Sequence, residues 1–137
     1  MNHRVRLKKL TPKNSKKINS QTVGELYSGP GGIGLGAAMA QVKDGSDIWQ
    51  TEPKWVNDYC HDSLKTWESN VLYYEKQRKG FNDQVKIIPG DVRKLRINTL
   101  APVDGLMFGF PCNDFSLVGE KKGLDGEFGP LYSYGVK

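Results

Sequence analysis

Glycines at 29, 31, 32, 34 and 36 follow directly on a strand-like run, residues 22–27, and lead into the helix-forming stretch Ile33, Ala37, Ala38, Met39 and Ala40. A strand that passes through such a turn into a helix points to an α/β arrangement. The turn exploits positive φ angles that other residues resist, and the helix start leaves N–H groups without intrahelical partners. Those N–H groups, reached closely by a ligand because no Cβ intervenes, form a cradle for a small molecule. Gly29-x-Gly31-x-x-Gly34 satisfies the dinucleotide pattern as it stands. The Tyr27-Ser28 pair before it, and the placing of the acids after it, speak against a nicotinamide cofactor. A tight turn with no ligand is the bland alternative, at a considerable cost in glycine entropy.

The remaining pattern extends this unit. Residues 41–53, centred on Lys43-Asp44-Gly45-Ser46-Asp47, read as a polar surface hairpin or excursion before a second strand opens at Trp55-Val56-Asn57. Leu64, Trp67, Val71 and Tyr74 recur at spacings of three and four, which predicts an amphipathic helix from Ser63 to about Lys79, stopped by Gly80. That stripe reads as core packing. Residues 85–91 give a third strand ending in a turn, and residues 103–110 a fourth, apolar one. The order β-α-β-α-β-β predicts a mostly parallel, helix-flanked sheet of the Rossmann-like kind, with ligands at the carboxyl ends of the strands. Residues 131–137 begin what reads as another helix, so the sheet is expected to be incomplete within this chain.

Length and charge narrow the classes. A chain of 137 residues fits one small domain with a real core but no large recognition domain beside it. No apolar run approaches the ~20 residues of a membrane span, and no signal peptide is legible, so a soluble protein kept inside the cell is expected. The net charge of +5 is uneven: residues 1–20 hold seven Lys or Arg and no acid, leaving 13 basic against 15 acidic residues elsewhere. Residues 1–20 therefore read as a basic, disordered arm, whose role is solubility or sequence-independent attraction to phosphates. Cys60 and Cys112 are too few for a disulfide framework and, with His3 and His61, do not make a metal-ligand set. Cys60 reads as a small buried apolar residue.

Cys112 stands in a different context. It lies between Pro111, whose ring fixes φ, and the polar pair Asn113-Asp114, just past the fourth strand, where an α/β sheet presents a nucleophile. The run Gly109-Phe110-Pro111-Cys112-x-x-Phe115-Ser116-x-x-Gly119-x-x-x-Gly123 resembles the catalytic motif of the DNA (cytosine-5)-methyltransferases, and Glu25-Leu26-Tyr27-Ser28-Gly29-Pro30-Gly31-Gly32 resembles that family's donor-binding turn. The resemblance covers residues 22–132. It implies a Rossmann-like class I methyltransferase fold, with residues 21–137 as the N-terminal portion of the catalytic domain. It also implies S-adenosylmethionine as cofactor: Tyr27 against the adenine, Ser28, Gly29, Gly31, Gly32 and Ile33 around the methionine part, Asp58 on the ribose hydroxyls, Tyr59 on the other adenine face, and Asp91 on the adenine amino group.

By the same resemblance Cys112 attacks carbon 6 of a cytosine swung out of duplex DNA, while Pro111, Asn113 and Ser116 contact the substrate. The chain departs from the family at Asn113, where Gln is usual, and at Gly126 and Phe128, where an Asp and an Arg are common. The family's general-acid Glu, recognition domain and last donor-contacting helix have no counterpart here. The expectation is thus a prokaryotic or phage protein, active in a restriction-modification setting only when a second chain or a longer product supplies those parts. A nucleotide-dependent oxidoreductase and a non-catalytic DNA-binding remnant are the rival expectations.

Overall fold

A computed structural model of the chain describes residues 16–78, 80–112, 114–115 and 122–136. Strand β1 (Ile18–Leu26) occupies the centre of the sheet, with β3 (Asp47–Asp58) and β5 (Gly105–Phe108) parallel to it on either side. The far edge of β3 is shared lengthwise. Its first residues pair antiparallel with β2 (Gln41–Asp44), and its last four pair parallel with β4 (Lys86–Pro89). Helix α1 (Gly32–Met39) joins β1 to the hairpin, and a longer helical stretch joins β3 to β4. Discounting the hairpin, four parallel strands lie in the order β4-β3-β1-β5, so the chain reverses its direction of travel between β1 and β5, and a crevice for ligands opens at their carboxyl ends.

Two boundaries move from the sequence reading. The strand expected from Trp55 begins eight residues earlier, at Asp47, because Ile48, Trp49 and Thr51 suit a pleated strand and Gly45, at φ 59°, closes a hairpin at its start. β2 is exposed along its whole length, as a surface hairpin should be. Pro53 offers no N–H to the ladder, and the register between β1 and β3 slips beside it, Val23 facing Pro53 and Gly24 facing Trp55. The first strand also begins at Ile18, so the last three residues of the expected basic arm belong to the sheet. Residues 1–15 of that arm lie outside the described residues.

Alternation along the strands splits the core in two. Val56 faces α1 and the second helical stretch, packing with Ala38, Leu64, Trp67, Val71 and Leu72. Leu26 and Trp55 face the other way and pack with Val92 and Leu131. Each large side chain buried in this way contributes on the order of 1.5–3 kcal/mol. The second layer is built largely from 3₁₀ turns (Val92–Lys94, Ile97–Thr99, Gly123–Asp125, Gly129–Tyr132) and the short helix α4 (Ser133–Val136).

The amphipathic helix is not one regular rod. It runs through α2 (His61–Trp67), a π-helical turn (Glu68–Leu72) and α3 (Tyr73–Lys76). The wider turn advances the chain by about one residue, so that after Val71 it is Glu75, not the expected Tyr74, that turns inward. Tyr74 is exposed, while Glu75 is buried and accepts two hydrogen bonds from Arg78 Nη1, at 2.7 and 2.9 Å. No helix among the described residues is long and apolar enough to cross a membrane.

Candidate active site

The turn after β1 bends through Tyr27, itself at a positive φ of 53°, and Gly31 at 100°. A side chain at Gly31 would be strained by that φ and would also press on Val71 Cγ2 and Trp67 Cδ1, at 2.9 and 3.0 Å. The loop is therefore packed directly on the helix that follows β3. Its backbone is pinned by the neighbouring strand end: Ser28 N–H donates to the Asn57 carbonyl (3.2 Å) and Gly29 N–H to Asp58 Oδ2 (2.7 Å). Asp58 Oδ1 accepts from Cys60 N–H at 2.7 Å, so this carboxylate braces two loops at once.

Below the turn lies Glu25, fully buried, whose carboxylate accepts from Trp67 Nε1 at 2.7 Å and from Gly34 N–H at 3.2 Å. Gly34 leaves room for that carboxylate, since a Cβ there would stand 2.6 Å from Glu25 Oε2. Burial pushes the Glu25 carboxyl above its ordinary 4.5, against the lowering effect of the Trp67 and Gly34 hydrogen bonds. A raised acid holds its proton more tightly in the folded chain. Its contribution to stability is complete below about 4.5 and is lost as the pH rises through the folded value. Glu75, raised by burial, acts in the same sense, whereas Asp62, Asp91 and Asp104, all lowered, act in the opposite sense below 3.8. Denaturant unfolding at a series of pH values is therefore expected to show stability declining above about 4.5, with a shallower decline in Glu25→Gln. Equal slopes in the two proteins would show that Glu25 is not the titrating group.

A cavity of about 320 Å³ opens at the carboxyl ends of the strands. It brings together four residues singled out in the sequence: Tyr27 from the end of β1, Tyr59 after β3, Asp91 after β4 and Pro111 after β5. Tyr27 is held in place by its hydroxyl, which donates to the Leu131 carbonyl at 2.6 Å, and burial, followed by the nearby Asp91, pushes its pKa up to about 12. Tyr59 is 81% exposed, an aromatic face with little protein covering it. Asp91 is gripped by Arg93, whose Nε and Nη2 reach both carboxylate oxygens at 2.6–3.0 Å and hold the Asp91 carboxyl below the usual range. An amino donor arriving at Asp91 has to displace one of these contacts.

Ser28, Gly29, Gly31, Gly32, Ile33, Asp58 and Cys112 are not among the residues that line the cavity. Ile33 is 47% exposed at the start of α1, and a Cβ on Gly109 would lie 3.5 Å from its Cδ1, so it borders the strand end that leads to the thiol. Cys112 is exposed and free, in a turn closed by Phe115 N–H donating to the Cys112 carbonyl at 2.9 Å. Asn113 and Ser116 lie outside the described residues. Cys60 is not the buried apolar residue expected. It is exposed at the cap of α2, where hydrogen bonding with Ser63 lowers its thiol pKa.

Sequence reasoning passed over three contributors. Asn57 is buried and donates through Nδ2 to the Ile88 and Gly90 carbonyls (2.9 and 3.0 Å), tying the ends of β3 and β4 beneath the cavity. Phe128 and Leu131 close the cavity from the C-terminal segment. In the sequence Phe128 stands out only as a departure from the family's motif and Leu131 only as the start of the helix-like stretch 131–137, so neither reads as part of a cavity.

A family model described as C-5 cytosine-specific DNA methylase matches residues 21–137, which takes in every part of this site. The chain belongs to that family. Type II methyltransferase M.BbvI of Brevibacillus brevis is 40% identical over 120 residues, covering 83% of this chain and 30% of its own length. Type II methyltransferase M.NgoFVII of Neisseria gonorrhoeae is 33% identical over 116 residues, covering 83% of this chain and 25% of its own. The chain thus spans less than a third of the length of these relatives. Membership of the C-5 cytosine DNA methylase family accounts for the mixed, mostly parallel sheet, and it makes S-adenosylmethionine the group against which the cavity is to be judged. The residues fit that group. Two tyrosines and Phe128 offer ring faces to a purine, Asp91 offers a carboxylate, and the volume lies within the ~300–1,000 Å³ range of small-molecule sites, while Asp58, at the end of β3, does not line the cavity and braces the neighbouring loops.

Proposed function

We propose that this chain carries the donor site and nucleophile of an enzyme that methylates carbon 5 of cytosine in duplex DNA. S-adenosylmethionine, when bound, supplies an electrophilic methyl group. The chain's own residues hold it: Ser28, Gly29, Gly31, Gly32 and Ile33 beside its amino-acid part, Asp58 at the ribose, and Tyr27, Tyr59 and Asp91 around the purine. One observation carries the reading. Pro111, which lines the cavity shared by Tyr27, Tyr59 and Asp91, is bonded directly to Cys112, which supports setting the thiol beside the proposed donor site.

Carbon 5 of cytosine is a weak nucleophile until its ring loses aromaticity, and a polarisable thiolate is suited to bring that about. The Cys112 thiolate would bond to carbon 6 while N3 of the ring takes a proton from the general acid; carbon 5, made nucleophilic, would then accept the methyl group as its bond to the donor's sulfonium sulfur breaks, and loss of the carbon 5 proton to a base with cleavage of the Cys112–carbon 6 bond would restore the aromatic ring and the thiolate. The cytosine must first leave the stack, at a cost of a few kcal/mol. Asn113 and Ser116 are proposed to contact the DNA. The general acid and the surface that reads the DNA sequence are assigned to that part of the relatives' length which this chain does not span, supplied by a second chain or a longer product.

Two measurements test this. S-adenosylhomocysteine and NAD are titrated separately against the 137-residue chain by calorimetry. Binding of the first alone is expected, and preference for NAD would return the glycine turn to oxidoreductase chemistry. In an assembly that methylates DNA, an oligonucleotide containing 5-fluorocytosine is expected to become covalently attached at Cys112, and an active assembly without that adduct would exclude this thiol as nucleophile.

A further inference from the structure

Asp114, two residues beyond the thiol, is 3% exposed and turns its carboxylate into the protein. Oδ2 accepts from Phe128 N–H at 2.6 Å and from Gly129 N–H at 2.8 Å, and the Asp114 carbonyl accepts from Gly123 N–H at 2.9 Å. The surrounding backbone is shaped to this carboxylate. A methyl group at Gly126 would overlap the Asp114 carboxyl, and one at Gly129 would overlap the Gly123 carbonyl. Three backbone N–H groups converging on one residue, two of them on an ionisable oxygen, make a strong, oriented tie.

Both ends of the tie lie at the candidate site. On one side is the turn that carries Cys112, closed by the Phe115 N–H to Cys112 carbonyl hydrogen bond and flanked by the edge-to-face contact of Phe110 and Phe115 at 5.9 Å. On the other are Phe128 and Leu131, which wall the donor cavity, Leu131 also accepting the Tyr27 hydroxyl. We propose that Asp114 is the positioning residue for Cys112: its carboxylate fixes the nucleophile turn to the wall of the donor cavity, setting the distance between sulfur and donor. The donor end of this inference rests on the reading of the cavity as a methyl-donor site. A misplacement of about 1 Å between reacting groups can cost on the order of 100-fold in rate, which gives such a tie its value.

The test uses the 137-residue chain itself, with Cys60 as an internal control, since both thiols are exposed. Iodoacetamide alkylation of each cysteine is followed by peptide mass spectrometry, and S-adenosylhomocysteine affinity is measured in parallel. In Asp114→Ala the Cys112 rate is expected to rise at least about threefold as the turn is released, with Cys60 unchanged. Analogue affinity is expected to fall severalfold. Asp114→Asn, which keeps an oxygen acceptor, should restore most of both. Gly126→Ala, which pushes the carboxylate from the far side, should repeat the Asp114→Ala pattern if that variant does not fold. Equal changes at both cysteines, or an unchanged Cys112 rate in all folded variants, would overturn the proposal, and so would a thiol response with unaltered analogue affinity. If the wild-type chain binds no analogue, the donor reading fails instead, and the thiol arm alone decides whether Asp114 holds the turn.

Discussion

Trp67→Ala is expected to bring the chain close to unfolding under ordinary conditions. The indole is fully buried between the glycine turn and the core, packed with Val71 and Leu64, and its Nε1–H donates to the buried Glu25 carboxylate at 2.7 Å. Truncating a buried Trp to Ala costs about 3–5 kcal/mol through lost transfer energy and the cavity left behind. Removing one partner of a buried acceptor adds to that. Domains of this size are stable by only about 5–15 kcal/mol in total. Trp67→Phe separates the two contributions, since it keeps most of the ring but loses the N–H, and should cost about 1–3 kcal/mol. Guanidinium unfolding followed by circular dichroism measures both. If Trp67→Phe proved as costly as Trp67→Ala, the hydrogen bond to Glu25 rather than ring packing would dominate.

The sensitivity of this position follows from its place in the architecture. Glu25 is the next-to-last residue of β1, Gly34 lies in the first turn of α1, and Trp67 closes α2, so one carboxylate joins three elements directly beneath the glycine turn. The turn is thereby held by the core and not by its own loop residues. Gly31, packed against Val71 and Trp67, transmits the same support to the backbone that would face a ligand.

Local signals in the sequence carried much of this fold. The glycine turn, the alternation of strand and helix, and the apolar spacing of Leu64, Trp67 and Val71 each follow from a short window of residues, and all three are found as expected. Contacts that depend on distant pairing were not legible. Residues 41–53 read as a hairpin or an excursion and form a hairpin, Val42 facing Trp49, but that its second arm is also the first half of β3 follows only from pairing with β1, where Ile48 finds Ile18 30 residues away. The π-helical turn has no mark in the apolar spacing, because a one-residue shift is decided by what packs against the helix. By resemblance Asp91 is expected to accept from an adenine amino group, and in the fold Arg93, two residues on, reaches both of its oxygens, a local ion pair that spacing alone could have suggested. Asp114 looked like an ordinary polar neighbour of the thiol, since the N–H groups that bind it come from Phe128 and Gly129, 14 and 15 residues away.

Gly32→Val is expected to weaken binding of S-adenosylhomocysteine by tenfold or more, about 1.4 kcal/mol or greater, while leaving the free protein nearly as stable as before. The glycines of the turn differ in what keeps them small. Gly31 is held at a positive φ and against Trp67, and Gly34 sits against Glu25, so both are explained by the folded chain alone. Gly32 is not. A Cβ built there meets no atom within 4 Å, and its φ lies outside the left-handed region. In the first position of α1 a side chain would project from the exposed turn into open space, with little effect on stability beyond the few tenths of a kcal/mol set by helix propensity. Gly36 is equally free of close neighbours but lies inside α1, whereas Gly32 stands at the exposed start of that helix, where the proposed donor would pass. Calorimetric titration of Gly32→Val beside wild type, with thermal unfolding of both, separates the two costs. Unchanged affinity would mean that the ligand does not pass over Gly32, and would move the donor's amino-acid part away from the start of α1. A loss of stability equal to the loss of affinity would mean that the turn is packed more tightly than its open surroundings indicate.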